Sequence, residues 1–542
     1  MSDAALAECP TDGLARSDAR RQSPVAQRAL VVTGGALIAA VALAARVYQL
    51  RDVPRLTDET DEVMRGLAIA RGEMLPLTNI DAYIGPLWSY LLAFGFLAFG
   101  PSSLLPRVLT LIAALLTVAA TGWLGREVAL RLGWPHRATL VALGSALLLA
   151  TSSFHAIVSS RIAWSHALTP LTMTIALACL VRWERTREAR LPALGGLAYG
   201  LAVHTHPTAL AFAPGLGLWA LLHWRAVIVH RAGWAALGLF LLANLPMLAF
   251  NLASGFGSAA AAAQVQNAYA GGAATSAAGY VANLGALLTS VPLLISGDVG
   301  DRRGAAVALD DPLPLVYAAM AVVGAGLASR RRLVLPVLVL ASVAAVLPLV
   351  NGKYEPLFNG RYLAPLLPMC FVLVAIGVVG MVSLLGRASI VRAHQRLVIT
   401  MMLVVLSVPP LLVLNGYIDA TLRDGPNNQE LYRAAEIVAA ASPAGPVLVD
   451  ASLSGTRQST GREGTGVLDY LLILDQHLDV RRYQPNDLWE AVERGEGTVV
   501  VVAPRLLTRL DKDFITEAPP SEDEARKRRR AGFVIVRIVG PA

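Results

Sequence analysis

The stretch LWSYLLAFGFLAF, Leu87 to Phe99, decides the topology of this chain, because counting it as a membrane span or leaving it out reverses the side on which every later loop lies. A spanning helix needs about 20 mostly apolar residues, with about 17 at the short end, so this segment is too short to cross. Outward from it, longer apolar runs occupy 29–45, 104–124, 138–154, 167–181, 191–205, 207–222, 233–252, 313–328, 333–350, 363–385 and 397–415. Pro207 argues for a turn between 191–205 and 207–222, since proline inside a helix removes a hydrogen bond and clashes with the preceding turn.

The arginines test the choice. They cluster at Arg126/Arg131/Arg137, Arg182/Arg185/Arg187/Arg190, Arg225/Arg231, Arg330–Arg332 and Arg387/Arg392/Arg396, and cytoplasmic loops carry the excess of Lys and Arg. If 87–99 crossed, the clusters of the first half would fall outside. If it lies in the interface as an amphipathic helix, every cluster is cytoplasmic and about eleven spans remain. The segment 280–296 is apolar too, but Pro292, Gly297 and a weak polar face predict an interfacial or re-entrant helix.

Composition agrees with lipid as the main solvent. Of 542 residues, 55% are hydrophobic and 15% charged, and the mean hydropathy is +0.55, which no ordinary soluble domain shows. The formal net charge of +8 sits in short clusters between apolar runs instead of one basic stripe, which excludes a nucleic-acid partner. The three cysteines, Cys9, Cys179 and Cys370, have neither disulfide nor metal-ligand spacing. The run 29–45 holds an A-x-A site at Ala42–Ala44, so a cleaved leader and a retained anchor are both open; the long polar leader favours the anchor. Residues after Ala45 lie outside the cytoplasm in either case.

Three units follow: a cytoplasmic tail 1–28, a transmembrane unit 29–417 with external loops 46–103 and 253–312, and a charged extracytoplasmic unit 418–542. In the last, strand-like runs at 446–450, 480–483, 498–502 and 533–539 alternate with helical segments at 429–441, 466–477, 487–494 and 504–511, predicting a small α/β domain with a mostly parallel sheet. The Gly-rich stretch 455–466 lacks a phosphate-loop signature and reads as a loop.

Chemistry is expected on the external side. Asp58-Glu59-Thr60-Asp61-Glu62 follows the first span, with Arg65 and Arg71 after it. Acids at a helix start complement the positive end of the dipole. A partly desolvated carboxylate near arginines can also serve as a general base on a hydroxyl or amine. Both readings stand on spacing alone.

The order Leu-Thr-Asp58-Glu59, Gly72-Glu73, Tyr83-Ile-Gly-Pro86-Leu-Trp-Ser-Tyr90, Phe99-Gly100, Pro106-Arg107, then Ser160-Arg161, His204-Thr-His206-Pro207, Asn251 and Asn359-Gly-Arg361-Tyr362-Leu-Ala-Pro365 resembles the GT-C membrane glycosyltransferases. Among them it is most similar to the protein O-mannosyltransferase and lipid A aminoarabinose transferase group, over about residues 29–415. The resemblance implies an all-α polytopic membrane bundle in a bacterial-type inner membrane. It implies transfer of a sugar, usually with inversion, from a polyprenyl-phosphate carrier to a lipid, glycan or protein acceptor on the non-cytoplasmic face. Asp58 then becomes the candidate base, with Glu59 its neighbour in the motif.

An anionic leaving phosphate calls for forked or point cations, and Lys353, Arg361 and Tyr362 are the first candidates; snorkelling at the interface is the alternative. Arg107 either faces the cavity or pairs with an acidic loop residue, and Arg161 raises the same choice. His204 and His206 are candidates for carrier or sugar contacts, and Tyr83 and His166 for the cavity. Some relatives carry an acid near the position of His166, and its absence leaves a second catalytic carboxylate in doubt. Two histidines without a third ligand do not make a metal site, and the resemblance implies no cofactor beyond the donor and no essential metal. A transporter or flippase of lipid-linked saccharides is the alternative. It would place charges near the bilayer midplane, whereas here they gather at the external edge.

Overall fold

The computed structural model describes residues 24–53, 57–270, 276–299, 312–354, 357, 359–386, 394–424, 428–441, 445–451, 466–502, 514–517 and 534–541. The segments 1–23, 452–465 and 504–511, expected as the tail, a loop and a helix, lie outside the described residues.

The chain is mostly helical. Helix α1 (Pro24–Val47) leads to α2 (Thr57–Ala70), α3 (Leu87–Phe99) and α4 (Leu105–Arg131). Each apolar run marked as a span falls on helix. Among the described residues, five helices are long and apolar enough to cross a membrane, Leu105–Arg131, Ala277–Ser296, Leu313–Arg330, Asn359–Leu385 and Gln395–Leu422, and a sixth forms if the bent pair Arg231–Ala243 and Leu245–Ser254 counts as one. The protein is an integral membrane protein. The remaining runs fold as shorter helices. Residues 138–154 stop at Thr151, where Ser152 turns the chain and accepts from the His155 amide. The run 233–252 bends by 62° at Asn244, whose side chain donates to the Gly200 and Phe240 carbonyls. Pro207 opens a 3₁₀ turn to Phe212, as its position predicts.

The segment 280–296, expected as an interfacial or re-entrant helix, is by length and composition also able to cross a membrane. It is one continuous 20-residue helix from Ala277 to Ser296. Pro292 sits near its end, where the lost hydrogen bond does not interrupt it, and Gly297, at φ 90°, ends it in the left-handed conformation that suits glycine.

Asn359–Leu385 is the centre of the bundle, with 89% of its apolar window buried. Helix α3 is buried on one face through Trp88, Leu92 and Phe96 and exposes Leu91, Phe94, Leu97 and Phe99 on the other. At 13 residues it is about 20 Å long, too short to cross and apolar enough to lie against lipid. Two charged zones mark the ends of α4. Arg131 pairs with Glu184 at 2.9 Å and Arg185 with Glu127 at 2.7 Å at one end. Arg107 stands at the other, about 36 Å away at 1.5 Å per residue.

The C-terminal unit is an α/β fold with a five-stranded sheet of order β2-β1-β3-β5-β4: β1 (Val447–Asp450), β2 (Val480–Tyr483), β3 (Val499–Val502), β4 (Phe514–Glu517) and β5 (Val534–Pro541). β1 pairs parallel with β2 and β3, while β5 pairs antiparallel with β3 and β4. The sheet is therefore mixed instead of mostly parallel. The cause is β4, a short strand that carries no alternating run long enough to announce itself. This unit packs on the first loop: Val63, Leu67, Trp88, Leu92 and Phe96 share one core with residues of helices Asn428–Ala441 and Val467–Leu474. Asp475 accepts from the Ser103 amide at 2.7 Å and hydroxyl at 2.6 Å, just ahead of α4.

Candidate active site

Helix α2 begins with Asp58 and Glu59 in its first turn, where carboxylates complement the unsatisfied N–H groups. The helix sends the two in different directions. Glu59 is fully buried, and both its oxygens are gripped by Arg107 of α4, Nε to Oε1 at 2.9 Å and Nη2 to Oε2 at 3.1 Å. The third nitrogen of Arg107, Nη1, donates to the carbonyls of Leu50 and Val53. Of the two choices left open for Arg107, the structure has the pair with an acidic loop residue. The fork fastens the start of α2 to α4.

Asp58 keeps 45% of its side chain exposed and meets Arg361, Nη1 to Oδ2 at 3.2 Å. Arg361 comes from the 3₁₀ segment Asn359–Leu366, 303 residues away in sequence. Its guanidinium lies over Trp164 at 4.8 Å from the ring centroid and donates Nη2 to the Tyr362 hydroxyl at 3.1 Å. Beyond it, His166 and His206 stack at 3.6 Å between centroids, and each ring is 5.7 Å from Tyr362. Burial, then His206 and Arg361, hold the His166 imidazole well below its usual pKa; burial and Arg361 do the same for His206. Both rings are therefore neutral at pH 7. His206 Nδ1 accepts from the Thr208 amide at 3.2 Å and caps the 3₁₀ turn.

From this wall opens a cavity of about 240 Å³ lined by Tyr83, His206, Tyr362 and apolar side chains such as Leu210, Val346 and Leu347. Tyr83 meets His206 edge-on at 6.5 Å, and its hydroxyl donates to Asp81 at 3.0 Å. Asp58, Arg361, Tyr362, His166, His206 and Tyr83 are thus brought together from loops far apart in sequence.

Three other candidates stand elsewhere. Arg161 donates to the carbonyls of Ala45, Tyr48 and Ala156, closing the C-terminal end of α1 as a cation does at the negative end of the dipole. His204 faces the first loop, where Nε2 accepts from the Leu87 amide at 3.2 Å. A Cβ on Gly85 would come within 2.4 Å of that ring, so only glycine allows the approach. Lys353 has an exposed side chain and a backbone held in a turn by Asn351, itself a cavity residue.

Two further residues at the site, Trp164 and Glu62, carry no role on sequence grounds. Trp164 supports Arg361. Glu62, 8% exposed, accepts from the Ser165 amide at 2.7 Å and hydroxyl at 3.1 Å, and burial above all raises its pKa to about 8. Its position four residues after Asp58 puts both on one face of α2, a signal present in the sequence. Among the described residues no group of three His, Cys, Asp or Glu side chains gathers as metal ligands would.

The fold is similar to that of ArnT from Cupriavidus metallidurans bound to undecaprenyl phosphate, with TM-score 0.57 and 14% identity over 94% of this chain and 98% of that one. The apo state of the same protein gives 0.56 and 13% over the same shares. The oligosaccharyltransferase of Archaeoglobus fulgidus, tethered with an acceptor peptide, aligns at TM-score 0.47 and 12% identity over 91% of this chain and 73% of that one. No family model and no curated protein matches the sequence. At these identities the likeness concerns the fold, and the resemblance to the GT-C type is borne out at that level.

Proposed function

We propose that the protein is a membrane glycosyltransferase that takes a sugar from a polyprenyl-phosphate carrier and passes it to a hydroxyl or amine of a lipid, glycan or protein acceptor. The observation that carries this reading is the Asp58–Arg361 pair beside an apolar cavity. An isoprenoid chain suits the apolar lining, and its phosphate suits a guanidinium that offers forked donors.

The pair explains how one site handles two charges. Arg361 is held by Asp58 and Tyr362. A carrier phosphate competes for the guanidinium and leaves the Asp58 carboxylate able to accept a proton. The acceptor O–H or N–H bond then gives its proton to Asp58, the acceptor atom bonds to the anomeric carbon, and the bond from that carbon to the phosphate oxygen breaks. The electron pair departs with the polyprenyl phosphate, and attack opposite the leaving group inverts the anomeric carbon. Glu59, held in the Arg107 fork, positions α2 and takes no proton.

The arrangement of charges supports placing the site on the extracytoplasmic face, with the arginine-rich end of α4 inside. The same reading keeps about eleven spans, with α3 and the helix Ala277–Ser296 outside the count, and gives a transmembrane unit 29–417 followed by an external unit 418–542. It also gives a reaction with no essential metal. Purified protein incubated with a panel of polyprenyl-phosphate sugars and membrane extract tests it: release of free polyprenyl phosphate with at least one donor is expected, and no release from any member would refute it.

A further inference from the structure

We propose that Glu62 is a positioning residue for the carrier-phosphate grip, acting through Ser165 to hold Trp164 beneath Arg361. The inference rests on the polyprenyl-phosphate reading above and names a residue that reading does not use.

The geometry forms a closed ring of contacts. Glu62 lies one turn beyond Asp58 on α2 and takes both polar groups of Ser165. Ser165 stands between Trp164, over which Arg361 lies at 4.8 Å, and His166, which stacks on His206. Arg361 returns to α2 through Asp58. Within the segment the Trp164 amide donates to the Ile162 carbonyl and the Ala167 amide to the Trp164 carbonyl; from its side chains and neighbours, Trp88 of α3 donates to the Ala163 carbonyl, and Trp164 donates its own Nε1 to the Val158 carbonyl. None of these engages Ser165. Its buried amide N–H is a strong donor that would otherwise lack a partner, so removing the Glu62 carboxyl shifts Ser165 and with it the Trp164 and His166 rings on either side.

A neutral group suits this role. A second charged carboxylate beside Asp58 would offset the attraction of the site for an anionic phosphate. Glu62 is buried among polar neighbours, and burial together with the charge of Asp58 favours its protonated form at neutral pH. It can tie the segment down without adding negative charge. Asp58, 45% exposed, stands open to an acceptor.

The test measures the dissociation constant for undecaprenyl phosphate of the purified full chain in nanodiscs. E62Q, which can accept from the amide and donate to the hydroxyl of Ser165, is expected to bind within about threefold of wild type, and E62D, one methylene too short to reach both, about tenfold more weakly. W164L should cause a similar loss, and E62D/W164L no further loss, because the two act through one element. If E62D does not fold, S165A and S165A/W164L complete the same cycle. Wild-type affinity in E62D, E62Q as weak as E62D, or additive losses would each overturn the proposal. A wild-type protein that does not bind the carrier would instead refute the reading on which it rests, and the inference would fall with it.

Discussion

Asp58→Asn separates chemistry from binding at this site. The substitution keeps an oxygen that can accept from Arg361, so the wall formed by Arg361, Tyr362 and Trp164 is left in place. Only the ability to take a proton is lost. A positioned general base contributes about 10²- to 10⁴-fold in rate, which at 1.36 kcal/mol per decade is about 3–5 kcal/mol of barrier. Carrier binding changes far less. The Asp58–Arg361 pair is partly solvated, 45% and 14% exposed, and such pairs are worth about 0.2–1 kcal/mol. Removing the competition for Arg361 thus tightens the donor by no more than about fivefold. Initial rates of polyprenyl-phosphate release, measured over a range of donor concentration, should show kcat falling by at least about a hundredfold with KM for the donor unchanged or slightly lower. Wild-type kcat in the variant would remove Asp58 as the base. A large rise in KM at unchanged kcat would make it a binding residue instead.

The other expectations concern scaffold, protons, metal and topology. Arg107→Ala leaves the Glu59 carboxylate buried without its fork and should cost about 3–5 kcal/mol; thermal unfolding in detergent should show a marked drop, much smaller for Arg107→Leu combined with Glu59→Leu. For Glu62, a folded pKa raised to about 8 means that the folded state binds more protons than the unfolded one above the ordinary carboxyl range. Its contribution to stability is complete in acid and is lost as pH rises through 8. Melting temperatures of Glu62→Gln should accordingly gain on wild type between about pH 5 and 8 and run parallel above; a constant difference would contradict the raised value. Chelation by EDTA should leave the transfer rate unchanged, and a loss restored by a divalent cation would overturn the metal-independent reading. Cysteines placed at Tyr90 and Arg126, the latter 55% exposed near the arginine-rich end of α4, should label from opposite sides of sealed vesicles, and labelling from one side would sink the eleven-span topology.

Much of the site was legible because its residues come in short strings. The acidic start of α2 announces itself by composition and by its distance from the first apolar run. Arg361-Tyr362 stands between two spans, where a charge is costly unless it is used. The arginine clusters also place Arg126, Arg131 and Arg185 together, and the ion pairs through Glu127 and Glu184 gather them at one end of α4. What the sequence hides is the partner. Arg107 and Arg161 look alike, each a cation at the external edge of a span. One closes a fork on Glu59 and the other caps three carbonyls. A carbonyl carries no residue identity, so no reading of side chains could have found the second arrangement. Trp164 was hidden in a different way, since an aromatic residue near an apolar run reads as core until a guanidinium is seen to lie on it.

That difference bears on the missing second carboxylate. The sequence leaves no acid near His166, and the structure puts a neutral histidine pair, His166 on His206, where a charge would have stood beside Arg361. Three other carboxyls close by are engaged elsewhere, since Glu59 is bound to Arg107, Glu62 holds Ser165, and Asp81 receives the Tyr83 hydroxyl. On the proposed reading, with Asp58 paired to Arg361 beside an apolar cavity, the proton transfer would fall to Asp58. Single-base transfer needs no second acid when the donor is a phosphodiester, because the polyprenyl phosphate departs as a stable anion and requires no proton. The arrangement therefore fits a phosphate-linked donor better than a sugar ether, whose leaving alkoxide would need a general acid on the far side of the anomeric carbon.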